Sequence, residues 1–337
     1  MLKDNLHQIP LSAPVNVTWE ITRHCNLHCT HCLSRDQLKS CDDELSFDEC
    51  ISLIDDLLEA GVFQINIGGG EPFMRSDIWE IFKYCHDREM VTCVSTNGSK
   101  IDEATAEKLA AMEFMYMQVS LDGATEETND AIRGKGTYKM AMKAITNLYN
   151  AGFQGLSINT VVTAKNFREL PDLYRLAKKY NSKPRLSRFR PSGGGADMWD
   201  EYSLSKEQTE ELAELLSAHR DIVTGDSFFS ITKDDRKNLG LNMCGACKMT
   251  CSISPNGKMF PCAFMQYDEF LAGNVRKEKF IDIWNNSPVM KMFRDLNPKS
   301  CGDCPRFDNC HGGCPAIAWF IKKDITAGDP ACICKLG

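Results

Sequence analysis

Three cysteines near the start of the chain are spaced for iron–sulfur chemistry. Cys25, Cys29 and Cys32 form a C-x3-C-x2-C pattern directly after an apolar, β-branched segment. Three thiolates on one loop can bind three corners of a [4Fe–4S] cluster and leave the fourth iron without a protein ligand. A partial zinc site is the alternative, although structural zinc takes four ligands and no nearby His or Cys has zinc-finger spacing.

Eight further cysteines form a second group in the last third of the chain. They are Cys244, Cys251, Cys262, Cys301, Cys304, Cys310, Cys314 and Cys332. Eight thiolates are enough for two clusters with four cysteines each. Zinc bound by four thiolates is the alternative at either site. Cys247 and Cys334 lie close enough to members of this group to replace one of them as a ligand.

Composition indicates where these cysteines work. Seventeen cysteines in 337 residues would suggest disulfides in a secreted protein, but residues 1–15 lack the pattern of an export signal. We therefore expect reduced thiols in a cytoplasmic protein. The net charge of −7 argues against nucleic acid as the main partner, because phosphate binding requires a basic surface. No window of 18 apolar residues exists, which argues against a membrane span.

The elements that must position these residues alternate between strand and helix. Strands are predicted at 16–22, 62–67, 91–95, 116–121, 156–162 and 184–189. Helices are predicted at 46–60, 78–86, 103–112, 137–151, 167–180 and 206–218. Six β-α units predict an α/β fold with a parallel sheet, open or curled into a partial (β/α)6 TIM-like barrel. We predict an extension at 1–15, the barrel at 16–225, and a C-terminal domain at 226–337 organised by metal rather than by a large apolar core.

Glycine-rich and polar motifs follow three consecutive strands. They are Gly68-Gly69-Gly70-Glu71-Pro72, Ser95-Thr96-Asn97-Gly98 and Ser120-Leu121-Asp122-Gly123. Parallel α/β folds build their ligand sites at the carboxyl ends of their strands. Glycines there let the backbone approach a ligand closely. An ordinary turn is the alternative for any one motif, but three motifs beside the cysteine loop predict a ligand site.

From residue 16 to residue 190, these motifs resemble those of the radical S-adenosylmethionine (SAM) enzymes. The resemblance implies a cluster on Cys25, Cys29 and Cys32, with SAM chelating its open iron. It also implies SAM contacts: Gly68, Gly69, Gly70 and Glu71 at the amino group, and Ser95, Asn97, Ser120 and Asp122 around the ribose and methionyl portions. His31 would approach the adenine and Arg133 the SAM carboxylate; a solvated histidine and a surface arginine are the alternatives.

The C-terminal cysteines resemble those of the SPASM domain, which carries two auxiliary [4Fe–4S] clusters. The resemblance assigns Cys244, Cys251, Cys262 and Cys314 to the first cluster. It assigns Cys301, Cys304, Cys310 and Cys332 to the second cluster. Cys314 would thus tie the two halves of the domain together.

Longer stretches are similar to one SPASM subfamily, the maturases of the mycofactocin precursor peptide. Examples are Thr18-Trp19-Glu20, Cys32-Leu33-Ser34 and Arg188-Phe189-Arg190-Pro191-Ser192-Gly193. The resemblance implies a short ribosomal peptide that ends in Val-Tyr. A deoxyadenosyl radical would take hydrogen from the tyrosine β-carbon, and the carboxylate would leave as CO2 while an auxiliary cluster accepts the electron. A second radical event would join valine to the tyramine unit by a carbon–carbon bond.

The same resemblance implies partners and an environment. We expect a separate small leader-peptide-binding protein, because only a short segment precedes the first strand. Reductive cleavage of SAM needs an electron at low potential, so we expect a flavodoxin or ferredoxin donor in an oxygen-poor cytoplasm. Arg185, Arg188 and Arg190 are candidates to receive the C-terminal carboxylate of the peptide. A solvated face, or pairing with acidic neighbours, is the alternative for these arginines.

Two other classes of function compete. One is a different SPASM enzyme that forms thioether links or converts a sulfatase residue to formylglycine. The other is a non-catalytic iron–sulfur electron carrier or zinc-binding scaffold. Neither a carrier nor a scaffold needs a three-thiolate site beside glycine-rich strand ends.

Overall fold

The computed structural model describes residues 11–35, 43–224, 244–302, 304 and 307–332. Cys41, Cys334 and the predicted domain boundary near residue 225 lie outside these ranges. Within them, no helix is long and apolar enough to cross a membrane.

Six parallel strands with intervening helices form the first two thirds of the chain. The strands are β1 Asn16–Thr22, β2 Gln64–Gly69, β3 Val91–Thr96, β4 Met115–Ser120, β5 Leu156–Val162 and β6 Lys183–Arg188. The long helices are α1 Phe47–Glu59, α2 Ile78–Asp87, α3 Glu103–Ala110, α4 Glu126–Arg133, α5 Thr137–Asn150 and α6 Leu170–Lys179. Three more helices follow β6: α7 Gly194–Asp197, α8 Trp199–Tyr202 and α9 Lys206–Ala218. The predicted α/β fold is confirmed.

Local signals explain several element boundaries. At the start of α1 the Glu49 N–H donates to Ser46 Oγ over 3.3 Å, and the Ser46 N–H donates to Glu49 Oε2 over 2.7 Å. This reciprocal capping satisfies two N–H groups that the helix leaves without internal partners. Helix α4 was not predicted, although Thr125 caps it by accepting from the Thr128 N–H. It matters for function because Arg133 is its last residue.

The two faces of the sheet differ in polarity. Alternate strand residues such as Trp19, Ile67 and Val94 are fully buried in the apolar core. The other face carries polar side chains that bond from strand to strand. Gln118 Nε2 lies 2.8 Å from Cys93 Sγ, and Ser187 Oγ donates to Asn159 Oδ1 over 2.8 Å. Because side chains alternate along a strand, one face holds the fold together and the other is left for polar ligands.

The C-terminal region extends the same sheet. Strand β7 Thr250–Ile253 pairs in parallel with β1, and β8 Lys258–Phe260 and β9 Gly273–Asn274 continue it antiparallel. The resulting nine-stranded order is β6-β5-β4-β3-β2-β1-β7-β8-β9. Among the described residues that follow, four α-helices occur: α10 Phe280–Asn286, α11 Pro288–Arg294, α12 Phe307–Cys310 and α13 Pro315–Lys322.

The apolar core also continues into the C-terminal region. Phe280, Trp284 and Ile317 are fully buried there and belong to the same core cluster as Trp19. This differs from the expectation of a domain organised by metal rather than by a large apolar core. The hydrophobic effect therefore fixes the C-terminal region against the barrel, and its cysteine loops are built on that support.

Candidate active site

The loop after β1 that carries Cys25, Cys29 and Cys32 is held by backbone hydrogen bonds on two sides. The Thr30 N–H donates to the Ile132 carbonyl in α4 over 3.0 Å. The Gly194 N–H, at the start of α7, donates to the Cys32 carbonyl over 2.8 Å. The loop therefore has a fixed path across the carboxyl ends of the strands.

The three thiols of this loop suit an iron–sulfur cluster. Burial raises the pKa of all three, that of Cys32 to about 11, and neighbouring thiols add to the rise for Cys25 and Cys32. Such thiols ionise readily only when a metal compensates the thiolate charge. In the described ranges no three His, Cys, Asp or Glu side chains surround one metal-ion position. A cubic cluster does not require this, since each thiolate binds a different iron.

The glycine motif after β2 packs directly against the start of the cysteine loop. The Gly70 N–H donates to the Thr22 carbonyl over 2.8 Å, and the Glu71 N–H donates to the His24 carbonyl over 2.7 Å. A Cβ atom on Gly70 would lie 2.1 Å from the His24 oxygen, whereas one on Gly68 would meet nothing within 4 Å. Gly70 is therefore needed for the close approach of two backbones, and Gly68 faces open space.

Glu71 fixes the end of β2 to the end of β3. Its fully buried carboxylate accepts from Thr96 Oγ1 over 2.8 Å and from the Asn97 N–H over 2.7 Å. Burial raises its pKa to about 7, against the opposing effect of these hydrogen bonds. The resemblance implied a contact between Glu71 and the SAM amino group; in the structure its carboxylate binds protein groups.

Three of the predicted SAM contacts meet in one buried ionic group. Asp122 Oδ2 lies 2.6 Å from Arg133 Nε and 2.9 Å from His31 Nε2. Burial disfavours the carboxylate, but the Arg133 guanidinium, the His31 ring and the Val161 N–H prevail and lower the pKa of Asp122 to about 2. Arg133 Nη1 also lies 4.0 Å from Cys29 Sγ. The group thus places one guanidinium beside both the cysteine loop and a strand end.

The remaining predicted SAM contacts line the carboxyl ends of β3 and β4. Ser95 and Ser120 are half-buried. Asn97 follows β3, and its Nδ2 donates to Asn26 Oδ1 in the cysteine loop over 2.9 Å. The structure therefore gathers every predicted SAM contact around one strand-end surface. Their assignment as SAM ligands stays a prediction.

Sequence analysis missed two groups that shape this surface. A Cβ on Gly193 would lie 2.3 Å from the Leu33 oxygen, and one on Gly194 would lie 2.3 Å from the Thr30 oxygen. Buried Glu20 accepts from Ser34 Oγ over 3.0 Å and from the side chain of Gln266. Burial raises the pKa of Glu20 to about 7. The glycine run after β6 was the one local signal for the first group.

The auxiliary cysteines fall into two neighbourhoods. In the first, the thiols of Cys244 and Cys314 add to the rise that burial causes in the pKa of Cys262. Burial also raises the pKa of Cys251 and of Cys247. The nearby thiols of Cys251, Cys262 and Cys244 raise the pKa of Cys247 further. Cys247 is fully buried, with Sγ 3.2 Å from Met290 Sδ. The choice between Cys247 and its neighbours as ligands stays open.

The second neighbourhood is centred on Cys310. Burial raises the pKa of its thiol, and the nearby thiols of Cys332, Cys304 and Cys301 raise it further. These four residues are the set that the resemblance gives to the second auxiliary cluster. Four convergent thiols suit either a fully ligated [4Fe–4S] cluster or zinc.

The arginines at the end of β6 separate into different roles. Arg188 pairs with Asp329, and the Arg190 guanidinium lies 3.7 Å from the centre of the Phe264 ring. Both arginines are buried. The alternative of pairing with an acidic neighbour thus holds for Arg188. Arg185 is half-buried, and it lies on the polar face because it is two residues from Ser187, whose hydroxyl bonds Asn159.

Similarity to known proteins extends over nearly the whole chain. The model of the Radical SAM superfamily matches residues 19–177, and that of the SPASM iron-sulfur cluster-binding domain matches residues 244–305. The mycofactocin maturase MftC of Mycolicibacterium smegmatis is 42% identical over 96% of this chain and 83% of that protein. The AdoMet-dependent heme synthase of Methanosarcina barkeri is 31% identical over 97% of this chain and 98% of that protein.

A solved structure shares the fold at low sequence identity. It is Streptococcus suis SuiB bound to its precursor peptide SuiA, with a TM-score of 0.79, 19% identity, and coverage of 96% of this chain and 76% of that one. The likeness extends over both the six-stranded part and the C-terminal region.

Proposed function

This chain belongs to the radical SAM superfamily, among its members with a SPASM domain, and on that premise we propose that it matures the mycofactocin precursor peptide. The observation that carries the proposal is 42% identity to mycofactocin maturase over 96% of the chain. Identity to the heme synthase is 31%, so the maturase is the better-supported function.

The chain's own residues would hold the cofactors in a defined arrangement. We propose Cys25, Cys29 and Cys32 as ligands of the SAM-binding cluster, and the two C-terminal cysteine sets as ligands of auxiliary clusters. When bound, the cluster and SAM supply a carbon radical that removes a hydrogen atom from substrate. Arg133 lies beside Cys29 and provides a positive charge for the carboxylate of SAM. Glu71 and Asp122 keep the surrounding loops in place.

The polar face of the sheet is the proposed path for the peptide. Its C-terminal carboxylate needs a cation, and Arg185 is the arginine of β6 that shares this face with Asn159. In register, Asn159 lies between Ser120 on β4 and Arg185 on β6. Arg185 is therefore at the level of the proposed SAM site. A leader-peptide-binding protein and a low-potential flavodoxin or ferredoxin complete the proposed system.

The proposal is tested by mass spectrometry of a precursor peptide that ends in Val-Tyr. The peptide is incubated without air with the enzyme, SAM, dithionite and the leader-peptide-binding protein. We expect a first product that has lost CO2 and two hydrogens. A second product of the same mass should follow, in which valine is cross-linked to the tyramine unit. Unchanged peptide beside abundant 5′-deoxyadenosine would reject this substrate, and absence of 5′-deoxyadenosine would reject the enzyme class.

A matched pair of peptides tests the role of Arg185. With the wild-type enzyme, a peptide whose C-terminus is an amide should bind more weakly than the free acid. In Arg185→Met the free acid should lose about tenfold in kcat/KM, which corresponds to about 1.4 kcal/mol. Equal losses for binding of both peptides would assign Arg185 to the structure of the sheet instead.

A further inference from the structure

A buried ion pair joins β6 to the last cysteine-bearing loop. Arg188 Nη1 lies 2.6 Å from Asp329 Oδ2, and Nη2 lies 2.9 Å from Oδ1. The two side chains are 8% and 0% exposed. Burying two charges is costly unless the geometry is good and further hydrogen bonds satisfy the remaining atoms. The fork-to-fork arrangement meets the first condition.

Asp329 meets the second condition through the backbone of the cysteine loops. Its Oδ2 accepts from the Cys314 N–H over 3.1 Å, and its Oδ1 accepts from the Ala331 N–H over 3.0 Å. Its own carbonyl accepts from the Cys332 N–H over 3.2 Å. One residue thus contacts the backbone of Cys314 and Cys332, which the proposed ligand sets give to different auxiliary clusters.

Steric fit supports the same contact independently of charge. Gly313 has a φ of +82°, and a Cβ atom there would lie 2.4 Å from Asp329 Cβ. The chain just before Cys314 therefore approaches Asp329 as closely as its backbone allows. The Asp329 N–H also donates to the Gly312 carbonyl over 2.9 Å.

We propose that Arg188 and Asp329 are a positioning pair that fixes both auxiliary clusters relative to the barrel and thereby couples SAM cleavage to product formation. The inference rests on the proposed function. There, the substrate hydrogen atom ends in 5′-deoxyadenosine, the carboxylate leaves as CO2, and the one remaining electron passes to an oxidised auxiliary cluster. Arg188 is the last residue of β6, the strand whose Arg185 lies on the proposed peptide path. The pair therefore links that strand to the loops that carry the proposed electron acceptors.

The Arg188–Asp329 pair lies apart from the proposed SAM site, so its effect can be measured separately from SAM cleavage. The proposed SAM site is built from the ends of β1 to β4, whereas the pair joins β6 to residues 312–332. A change in the pair should therefore leave SAM cleavage working while the electron acceptor is displaced.

The test uses the loaded enzyme with Asp329→Asn, which keeps the shape and one acceptor oxygen but removes the charge. We expect 5′-deoxyadenosine formation within about twofold of wild type, and product per 5′-deoxyadenosine lower by at least about tenfold. Electron paramagnetic resonance of the reduced enzyme should show altered or missing auxiliary signals and an unchanged N-terminal cluster. Glu126→Gln at the exposed Lys139–Glu126 pair is the matched control and should change neither ratio nor spectrum.

Two results would overturn the proposal. If Asp329→Asn has the same ratio of product to 5′-deoxyadenosine as the wild-type enzyme, and the same spectra, the pair does not position the auxiliary clusters. Parallel loss of all clusters and of SAM cleavage would show a general structural role. If Asp329→Asn does not fold, Arg188→Lys carries the test, since it keeps the charge but loses the bidentate fork. If the wild-type enzyme never modifies the peptide, the proposed function fails, while the auxiliary spectra still decide on the pair.

Discussion

The Asn97 backbone N–H donates a 2.7 Å hydrogen bond to the buried carboxylate of Glu71, so the ends of β2 and β3 are joined through one acid. Burial raises the pKa of Glu71 from 4.5 to about 7. The folded state therefore keeps the proton up to a higher pH than the unfolded chain does. By linkage, the stability from this group is full below about pH 4.5 and is lost as the pH rises to about 7.

We expect the thermal midpoint of the anaerobically prepared protein to fall between pH 5 and pH 8, and to fall less in Glu71→Gln. The difference in pKa corresponds to about 3 kcal/mol as an upper limit, from 1.36 kcal/mol per unit. Burial raises the pKa of Glu20 to about 7 as well, so Glu20 adds to the fall of the thermal midpoint with pH. Glu20→Gln should therefore reduce that fall further. Identical pH profiles for wild type and both variants would show that neither acid is protonated in the folded state.

Gly68 and Gly70, which are two residues apart in the glycine motif, should respond very differently to alanine. Gly70→Ala places a methyl group 2.1 Å from the His24 carbonyl oxygen, which is backbone and cannot move away alone. We expect a loss of about 1–3 kcal/mol in unfolding free energy and less iron in the N-terminal cluster. Gly68→Ala, which meets nothing within 4 Å, should keep the stability and the iron content. Thermal unfolding and iron analysis of both variants make the comparison; equal behaviour would contradict the steric argument.

Removal of one N-terminal thiol should distinguish the N-terminal cluster from the auxiliary clusters by the number of irons that are lost. Cys29→Ala should lose about four irons per chain and all formation of 5′-deoxyadenosine, while the auxiliary clusters keep their spectra. Cys50→Ala is the control, because Cys50 is also fully buried but belongs to none of the three proposed ligand sets. It should keep the iron content. An unchanged spectrum in Cys29→Ala would remove that residue from the ligand set.

Regular elements were predictable because their signals are local. Strands β1 and β5 begin and end at the predicted residues, and α9 does so too. Alternating or 3.6-residue apolar patterns, with a cap such as Ser46, lie within one stretch of sequence. Helix α4 was missed because its mean hydropathy is low and few of its residues are apolar; Ile132 is its buried apolar side chain.

Contacts between distant residues left no such signal. Arg188 and Asp329 are 141 positions apart, and the two arginines of one strand end look alike in sequence although one meets a carboxylate and the other an aromatic ring. The pairing of β7 with β1 joins segments more than 200 residues apart in the same way. Packing of the whole chain decides these contacts, so the cysteine spacings indicated clusters but not the ion pair beside them.

Asp122 gives the sharpest test of the ionic group at the candidate SAM site. Its carboxylate lies between Arg133 and His31. The side chain of Asp122 is 0% exposed, that of Arg133 is 11% exposed and that of His31 is 6% exposed. Asp122→Asn would leave the Arg133 charge buried without its partner, which typically costs about 3–5 kcal/mol. The same change frees Arg133 from its fixed direction, so SAM should bind more weakly. Calorimetry with SAM and thermal unfolding measure the two effects.

The pH dependence of this effect distinguishes charge from shape. The pKa of Asp122 is about 2, so its stabilisation is present above the ordinary aspartate pKa of 3.8 and is lost only as the pH falls through about 2. The destabilisation of Asp122→Asn that comes from the unpartnered Arg133 charge should therefore persist from pH 5 to pH 8. Asp87→Asn at the exposed Lys83–Asp87 pair should cost at most about 1 kcal/mol. A difference that disappears toward pH 5 would mean that Asp122 is protonated there, and the ionic group would then not be what orients Arg133.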